Sequence, residues 1–295
     1  MSAGEPELEP RSREVSGLVL MVVSAAAFAL MAAVVKKLLP TAPTQAVIFS
    51  RGVAVCAVFM VMARLRGVPI VGKRPGMLLL RGLLGYGALS CYFYAVQHLP
   101  LGDAVLLQYS HPVFIAALAP IVLGETTRRG DWPLIVAALV GVALIVRPAG
   151  AVRIEALIGV VGSLLSGLAY MTIRRLAQTD NPLTILIWFP LATIPFSGIA
   201  TIATGRSALP RDASEVAGHI LVTLTALIGQ FALTHGLTRA GAARATAVTL
   251  TGPVFGLAFG YLLFATVPSL ASVIGTAIVL TAIGFLSWRS AQPED

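Results

Sequence analysis

The feature that most limits what this chain can fold into is a series of long apolar runs that fills almost the whole sequence. Of its 295 residues, 57% are hydrophobic and only 12% are charged, and a soluble domain of this length cannot bury so much apolar surface. A helix needs about 20 apolar residues to cross the hydrocarbon core of a bilayer. Because backbone polar groups must be hydrogen-bonded inside lipid, helices suit these runs. The sequence therefore predicts an all-α, polytopic membrane protein whose solvent is the lipid bilayer.

Proline, glycine or charged residues separate the runs and give the helix boundaries. We place ten transmembrane helices at residues 17–37, 44–64, 76–97, 102–123, 131–147, 157–177, 183–204, 216–238, 243–264 and 268–288. Residues 1–14 are polar and rich in acids, which predicts a disordered tail rather than a secretory signal. Residues 289–295 form a second short tail. Both tails are expected in the cytoplasm.

Helix 4 is interrupted by a proline near its middle, and the same interruption returns in the second half of the chain. Residues 102–125 contain Pro112-Val113-Phe114, and residues 243–266 contain Pro253-Val254-Phe255 at the matching place. Two proline-interrupted apolar segments at corresponding positions indicate the binding site of a secondary transporter. The alternative is that both prolines only kink packed helices.

The repeat extends to the first helix of each half. Gly17 and Ser24 in helix 1 correspond to Gly159 and Ser166 in helix 6. Helices 1–5 (residues 15–148) and helices 6–10 (residues 156–288) are therefore interpreted as two copies of one unit. Since five is odd, the second copy must enter the membrane from the opposite side, which makes the repeat inverted.

The distribution of positive charge predicts the orientation. With both termini in the cytoplasm, 14 Lys and Arg residues lie inside: Arg11, Arg13, Arg64, Arg66, Lys73, Arg74, Arg81, Arg128, Arg129, Arg174, Arg175, Arg239, Arg244 and Arg289. Six lie outside: Lys36, Lys37, Arg147, Arg153, Arg206 and Arg211. Arg51 lies within helix 2. This excess follows the positive-inside rule, so the net charge of +8 reflects membrane topology rather than a nucleic-acid partner.

Charged residues within or at the ends of helices are candidates for structural or gating roles. Arg51 lies about 10 Å deep in helix 2 at 1.5 Å per residue, and Asp103 is its first candidate partner. The pair is either a fixed ion pair between helices or part of a substrate or proton site. Arg81 and Glu125 lie at the inner ends of helices 3 and 4, where they are expected to pair as an interfacial tether that closes this end.

Polar residues at depth supply the candidate substrate-binding set, because such side chains either join helices or line a wet cavity. The set is Tyr92, Gln108, His111, Tyr170, Gln230, Thr249 and Thr251. Pro112 and Pro253 each free a carbonyl four residues earlier, on Gln108 and Thr249, which we expect to accept hydrogen bonds from a substrate. His111 is the best candidate for a coupling proton, although a lone histidine is more often a hydrogen-bonded core residue.

Several chemistries have no motif in this chain. It has no phosphate-binding loop, no His-Glu-x-x-His and no Gly-x-Ser-x-Gly, which argues against an ATP-driven pump and an intramembrane hydrolase. Its two cysteines, Cys56 and Cys91, have no metal-ligand spacing. We therefore expect no enzyme activity, no cofactor and no metal.

Short motifs in the expected order resemble the EamA-type drug/metabolite transporter superfamily over about residues 15–288. They are Phe49-Ser50-Arg51-Gly52, Arg81-Gly82-Leu83-Leu84-Gly85, Tyr94 to Pro100, Pro112-Val113-Phe114, Leu123-Gly124-Glu125, Arg174-Arg175-Leu176 and Gly229-Gln230-Phe231. The resemblance implies ten helices in inverted five-helix repeats, both termini inside, and a central cavity lined by helices 1, 3, 4, 6, 8 and 9. It also implies alternating access.

The function expected from this resemblance is secondary transport of a small polar organic metabolite across the inner membrane, with export favoured. An amino acid, a carboxylate and a nucleoside-like compound all remain possible cargoes at this point. The alternatives are uptake or exchange of a metabolite and a membrane enzyme or scaffold that transports nothing.

Overall fold

The computed structural model describes residues 10–122, 130, 132–146, 153–205, 210–239, 248 and 251–290. Every regular element among these residues is a helix. The helices are α1 (Pro10–Leu38), α2 (Thr44–Leu65), α3 (Pro75–His98), α4 (Leu101–Gln108), α5 (His111–Val122), α6 (Trp132–Val146), α7 (Ile154–Leu176), α8 (Pro182–Ala203), α9 (Ala213–Arg239), α10 (Thr251–Phe264) and α11 (Leu270–Ser290).

Helix α1 begins inside the predicted N-terminal tail. Its first residue is Pro10, a favourable place for proline because the first N–H groups of a helix have no intrahelical partner. Residues 1–9 and 291–295 lie outside the described residues. Residues 10–14, which the sequence predicts as part of the disordered N-terminal tail, therefore belong to helix α1.

Seven helical segments are long and apolar enough to cross a membrane, among them Leu101–Val122, which joins α4 and α5. Shorter apolar helices lie at Trp132–Ile145, Thr251–Phe264 and Leu270–Leu286, where the sequence predicts helices 5, 9 and 10. The all-α, multi-pass architecture predicted from the apolar runs is confirmed.

The main helix pairs join the two halves of the chain. Helix α1 packs against α9, α3 against α7, α2 against α8, and α6 against α11. In the numbering of the predicted spans, these pairs are 1 with 8, 3 with 6, 2 with 7, and 5 with 10. Exchanging the two halves leaves this set of pairs unchanged, which is the packing expected of a duplicated unit.

Small residues allow some of these pairs to approach closely. Ser24 in α1 donates a hydrogen bond to the Gly229 carbonyl in α9 at 2.9 Å, and a Cβ at Gly229 would lie 2.7 Å from the Phe28 ring. Between α6 and α11, a Cβ at Gly141 would lie 2.8 Å from the Gly275 carbonyl oxygen. Backbones this close are typical of membrane helix interfaces, where packing replaces the hydrophobic effect.

Side chains fix the loops at both ends of the bundle. At one end, Gln97 Nε2 donates to the carbonyls of Leu39 and Ala42 at 3.0 and 3.1 Å. At the other end, Trp188 Nε1 donates to the Ile70 carbonyl at 2.9 Å, and Thr184 donates to the Pro69 carbonyl at 2.8 Å. The loops that flank α2 are therefore held against α3 and α8.

Candidate functional site

The predicted interruption of the fourth span is present, between α4 and α5. Tyr109 N–H still bonds the Val105 carbonyl at 3.0 Å, but Ser110 N–H bonds Leu107, three residues back, at 3.2 Å. The chain thus tightens at Tyr109 and Ser110 before α5 begins at His111. Pro112 is the second residue of α5, where its missing N–H leaves no hydrogen bond unmade.

The carbonyl freed by Pro112 is not open to a substrate, contrary to our expectation. His111 Nδ1 donates a hydrogen bond to the Gln108 carbonyl at 2.8 Å, and Ser163 Oγ donates to the same oxygen at 3.4 Å. The side chains of the break and of α7 satisfy the carbonyl because they lie within reach of it. The corresponding residue of the second half, Thr249, lies outside the described residues.

The side chain of Gln108 does offer an acceptor. Its Nε2 donates to Ser166 Oγ in α7 at 2.8 Å, whereas its Oε1 is buried and has no hydrogen-bond partner. A buried acceptor without a partner costs about 1–3 kcal/mol. Such an atom next to a helix break is a natural contact for a polar ligand.

Aromatic rings surround the break. The His111 ring stacks on Tyr170 in α7, with centroids 4.8 Å apart and planes 19° apart. The side chain of Tyr109 lies near those of Tyr92 in α3 and Tyr170 in α7. The structure therefore brings four of the sequence-predicted site residues together around the break: Tyr92, Gln108, His111 and Tyr170.

The two proline-interrupted segments meet in space. A Cβ at Gly252, the second residue of α10, would overlap the ring of Tyr109. The ring therefore fits only because this position has no side chain. Thr251 Oγ1 donates to the Val248 carbonyl at 2.8 Å, and Pro253 is buried. The predicted site residue Thr251 and Pro253 thus lie directly beside the break in the first half.

The expected ion pair between Arg51 and Asp103 is not formed, so this hypothesis is wrong. Arg51 is buried at 3% exposure, and its guanidinium carbon lies 5.8 Å from the centroid of the Phe189 ring in α8. Asp103 instead lies close to Ser272 in α11 and to Arg153. The reason is packing: α2 lies mainly against α8, and α4 turns its acid towards another helix.

Arg81 lies beside the same ring. Its guanidinium carbon is 4.9 Å from the Phe189 centroid, and it lies within electrostatic range of Tyr170. Its expected partner Glu125 lies outside the described residues, so that pairing stays a prediction. Phe189 is a site residue that the sequence did not reveal, because one phenylalanine in an apolar run carries no signal of its own.

The chain can be compared with known proteins once this geometry is in place. Residues 15–147 and, separately, residues 153–288 match the EamA-like transporter family. The chain belongs to this family. Its two matches cover both halves, and the resemblance drawn from short motifs is confirmed. As an EamA-like protein, it is a multi-pass membrane transporter of a small molecule rather than an enzyme.

Relatives of this EamA-like chain span nearly its full length. The pseudopaline exporter CntI of Pseudomonas aeruginosa is 27% identical, and the match covers 92% of this chain and 96% of the relative. The riboflavin transporter of Rhizobium johnstonii is 26% identical, with 97% and 95% covered. Mouse solute carrier family 35 member G1 is 25% identical, with 95% and 81% covered.

A solved structure shares the fold. A crystal structure of a protein that is 20% identical superposes with a TM-score of 0.62, and the match covers 96% of this chain and 99% of that one. At this identity the likeness concerns the fold alone. It agrees with the helical architecture described above.

Proposed function

We propose that this EamA-like transporter exports a small polar organic metabolite across the inner membrane by alternating access. The proposal rests on the contact between the two interrupted segments, where Tyr109 packs on Gly252. The neighbouring Gln108 Oε1 is buried and has no hydrogen-bond partner. Irregular backbone at membrane depth is tolerated where protein or a wet cavity surrounds it. In transporters such breaks hold the substrate at the interface of the repeats.

Export is the proposed direction because one relative, from P. aeruginosa, is an exporter. The P. aeruginosa relative is a pseudopaline exporter and the R. johnstonii relative is a riboflavin transporter, so both move small organic molecules. The proposed substrate contacts are those around the break, namely Tyr92, Gln108, His111, Tyr170 and Thr251, together with Gln230 and Thr249. His111 is the proposed carrier of a coupling proton, since its ring lies in this group.

The break supplies a mechanism for alternating access. Helices α4 and α5 are joined only through Tyr109 and Ser110, so each half of the span can tilt without bending a continuous helix. We propose that the two repeats, residues 15–148 and 156–288, rock about this site. The substrate then stays near the centre while the bundle opens first to one side and then to the other.

Transport assays in two orientations test the proposal. The purified protein in liposomes, and cells or everted vesicles that contain it, are given a panel of labelled amino acids, carboxylates and nucleosides. We expect accumulation of at least one compound in everted vesicles and its loss from intact cells. Accumulation in intact cells alone would reverse the direction, and movement of no compound in any preparation would overturn the transport proposal.

A matched pair of glycine variants tests the site. In Gly252→Leu the new side chain overlaps Tyr109, and we expect transport to fall to background while membrane insertion is retained. In Gly76→Leu the position has no atom within 4 Å, and transport should persist. Equal transport by the two variants would show that the contact between the segments is not part of the pathway.

Membrane orientation has its own test. We propose that both termini are cytoplasmic, which places Arg153 outside and Lys73 inside. Both side chains are exposed. A single cysteine at Arg153 should react with an impermeant maleimide in intact cells, whereas one at Lys73 should react only after permeabilisation. The opposite pattern would invert the topology.

A further inference from the structure

Two arginines in the membrane interior have buried side-chain N–H groups without a hydrogen-bond partner among the described residues. Arg51 in α2 is 3% exposed, and its Nε has no hydrogen-bond partner. Arg81 in α3 has both Nε and Nη1 buried without a partner. A guanidinium carries five N–H donors that cannot be removed by deprotonation, so each group retains unused donors in a region that lacks bulk water.

The two guanidinium groups share one small region. Both lie beside the Phe189 ring, at 5.8 Å for Arg51 and 4.9 Å for Arg81. A Cβ at Gly85, one turn along α3 from Arg81, would overlap Arg81 Nη1 and lie 2.7 Å from the Phe189 ring. The absence of a side chain at Gly85 therefore makes the space in which the Arg81 guanidinium lies.

Stability does not account for this arrangement. An arginine inside a membrane protein ordinarily pairs with an acid or with backbone carbonyls, because an unpaired buried charge is strongly unfavourable. The cation–π contact with one phenylalanine is weak compared with that cost. Two such residues beside one ring are better explained by a ligand that binds and dissociates than by a fixed structural pair.

Two of the acids that the structure describes have other contacts. Asp103 lies close to Ser272 and to Arg153. Asp180 accepts a hydrogen bond from Lys73 N at 2.5 Å and from Thr179 Oγ1 at 2.7 Å. Neither of these carboxylates serves the two guanidinium groups, so within the described ranges the buried N–H groups of Arg51 and Arg81 are open to an anion from outside the chain.

We propose that Arg51 and Arg81 bind an oxyanion group of the transported cargo, a carboxylate or a phosphate. The planar guanidinium fork matches the geometry of both groups. The pair is continuous with the break, because Arg81 lies within electrostatic range of Tyr170 and Tyr170 stacks on His111. The inference rests on the proposed transport function and narrows its cargo to anionic metabolites.

Ligand-induced thermal stabilisation of the purified protein tests the proposal without knowledge of the natural cargo. The probes are matched pairs: succinate with succinamide, and glycerol 3-phosphate with glycerol. Ligands that bind the folded state raise its melting temperature. We expect at least one anion to stabilise the wild-type protein while its neutral match does not. The arm that responds, carboxylate or phosphate, identifies the group.

Variants connect the effect to the two arginines. Arg51→Gln and Arg81→Gln should each weaken binding of the active anion by about 30-fold or more, and Arg51→Lys should weaken it less. Arg66→Gln removes an exposed arginine at the end of α2 and should bind as the wild type does. Neutral probes that stabilise as well as their anions, or unchanged binding in both glutamine variants, would overturn the proposal.

The remaining outcomes separate this inference from the transport proposal. Anion binding that both glutamine variants lose, with no movement of any compound in liposomes, would support the oxyanion site and refute transport. Transport of a neutral compound at an unchanged rate by Arg51→Gln and Arg81→Gln would support transport and refute the oxyanion site. A panel in which no anion stabilises the wild type would also count against the site.

Discussion

Lys36 and the Arg51–Arg81 pair are two ways of placing positive charge inside the same bundle. Lys36 Nζ donates to the Val96 and Leu99 carbonyls at 3.1 and 2.7 Å, at the C-terminal end of α3. The two arginines lie beside Phe189 and leave buried N–H groups without partners.

The difference separates a structural charge from a functional one. A lysine at a helix C-terminus satisfies carbonyls that the helix itself leaves unpaired and interacts favourably with the helix dipole, so its role is complete in the absence of ligand. The buried Nε of Arg51 and the buried Nε and Nη1 of Arg81 have no hydrogen-bond partner in the part of the chain that the structure describes, and their role requires a further molecule. Substitution should therefore damage stability at Lys36 and transport at the arginines.

The largest expected effect is on transport by Arg51→Met. We expect the initial rate in proteoliposomes to fall by about 30-fold or more, since one member of a buried charged contact with cargo is lost. The melting temperature without ligand should not fall, because replacing an unpaired buried charge by an apolar residue is neutral or stabilising. A strongly lowered melting temperature with normal transport would make Arg51 a structural residue like Lys36.

The reverse pattern is expected at Lys36. Lys36→Met leaves the carbonyls of Val96 and Leu99 without their donor, and the loss of hydrogen bonds to a charged group should cost about 1.5–3 kcal/mol of stability. Thermal unfolding in detergent measures it. Lys37→Met is the matched control, because Lys37 is exposed and its bond to Leu263 is 3.4 Å long. Equal melting temperatures for the two variants would remove the distinction.

Local chemistry predicted much of this structure. Apolar length gives the helices, and the proline at position 112 predicts an interruption within a residue or two of Tyr109 and Ser110, because a proline acts on its own backbone. Polar side chains at membrane depth usually have a functional or hydrogen-bonding role, which predicts Gln108, His111, Tyr92 and Tyr170 as site residues, and the four lie together around the break.

Contacts that depend on which helices are neighbours are not predictable from local sequence. The sequence predicts that Arg51 pairs with Asp103, but it does not say that α2 lies against α8 or that Asp103 lies close to Ser272 in α11. The Gln108 carbonyl was expected to be free, but Ser163 comes from another helix, and its position follows from tertiary packing. Gly85 is the one sequence signal for the Phe189 contact, since a glycine within a helix leaves room for the side chain of a neighbouring helix.

A smaller effect is expected from Gly85→Ala, because this substitution alters only the space around Arg81. The added methyl overlaps Arg81 Nη1 and approaches the Phe189 ring, so overpacking should cost about 1–3 kcal/mol and reduce anion binding. Gly76→Ala in the same helix has no atom within 4 Å and should be neutral or slightly stabilising. Melting temperature and anion affinity, measured on both variants, would show the contrast or its absence.

The smallest effect should come from Gln108→Leu, because it removes a neutral acceptor rather than a charge. Gln108 Oε1 is buried without a partner, and one neutral hydrogen bond to cargo contributes about 0.5–1.5 kcal/mol, which predicts a two- to tenfold lower transport efficiency, on the order of that free energy. Gln178→Leu, at an exposed position between α7 and α8, is the control and should transport normally. If Gln108→Leu were more damaging than Arg51→Met, recognition of the cargo would depend on the helix break more than on charge, and the arginines would lose their place as the main contact.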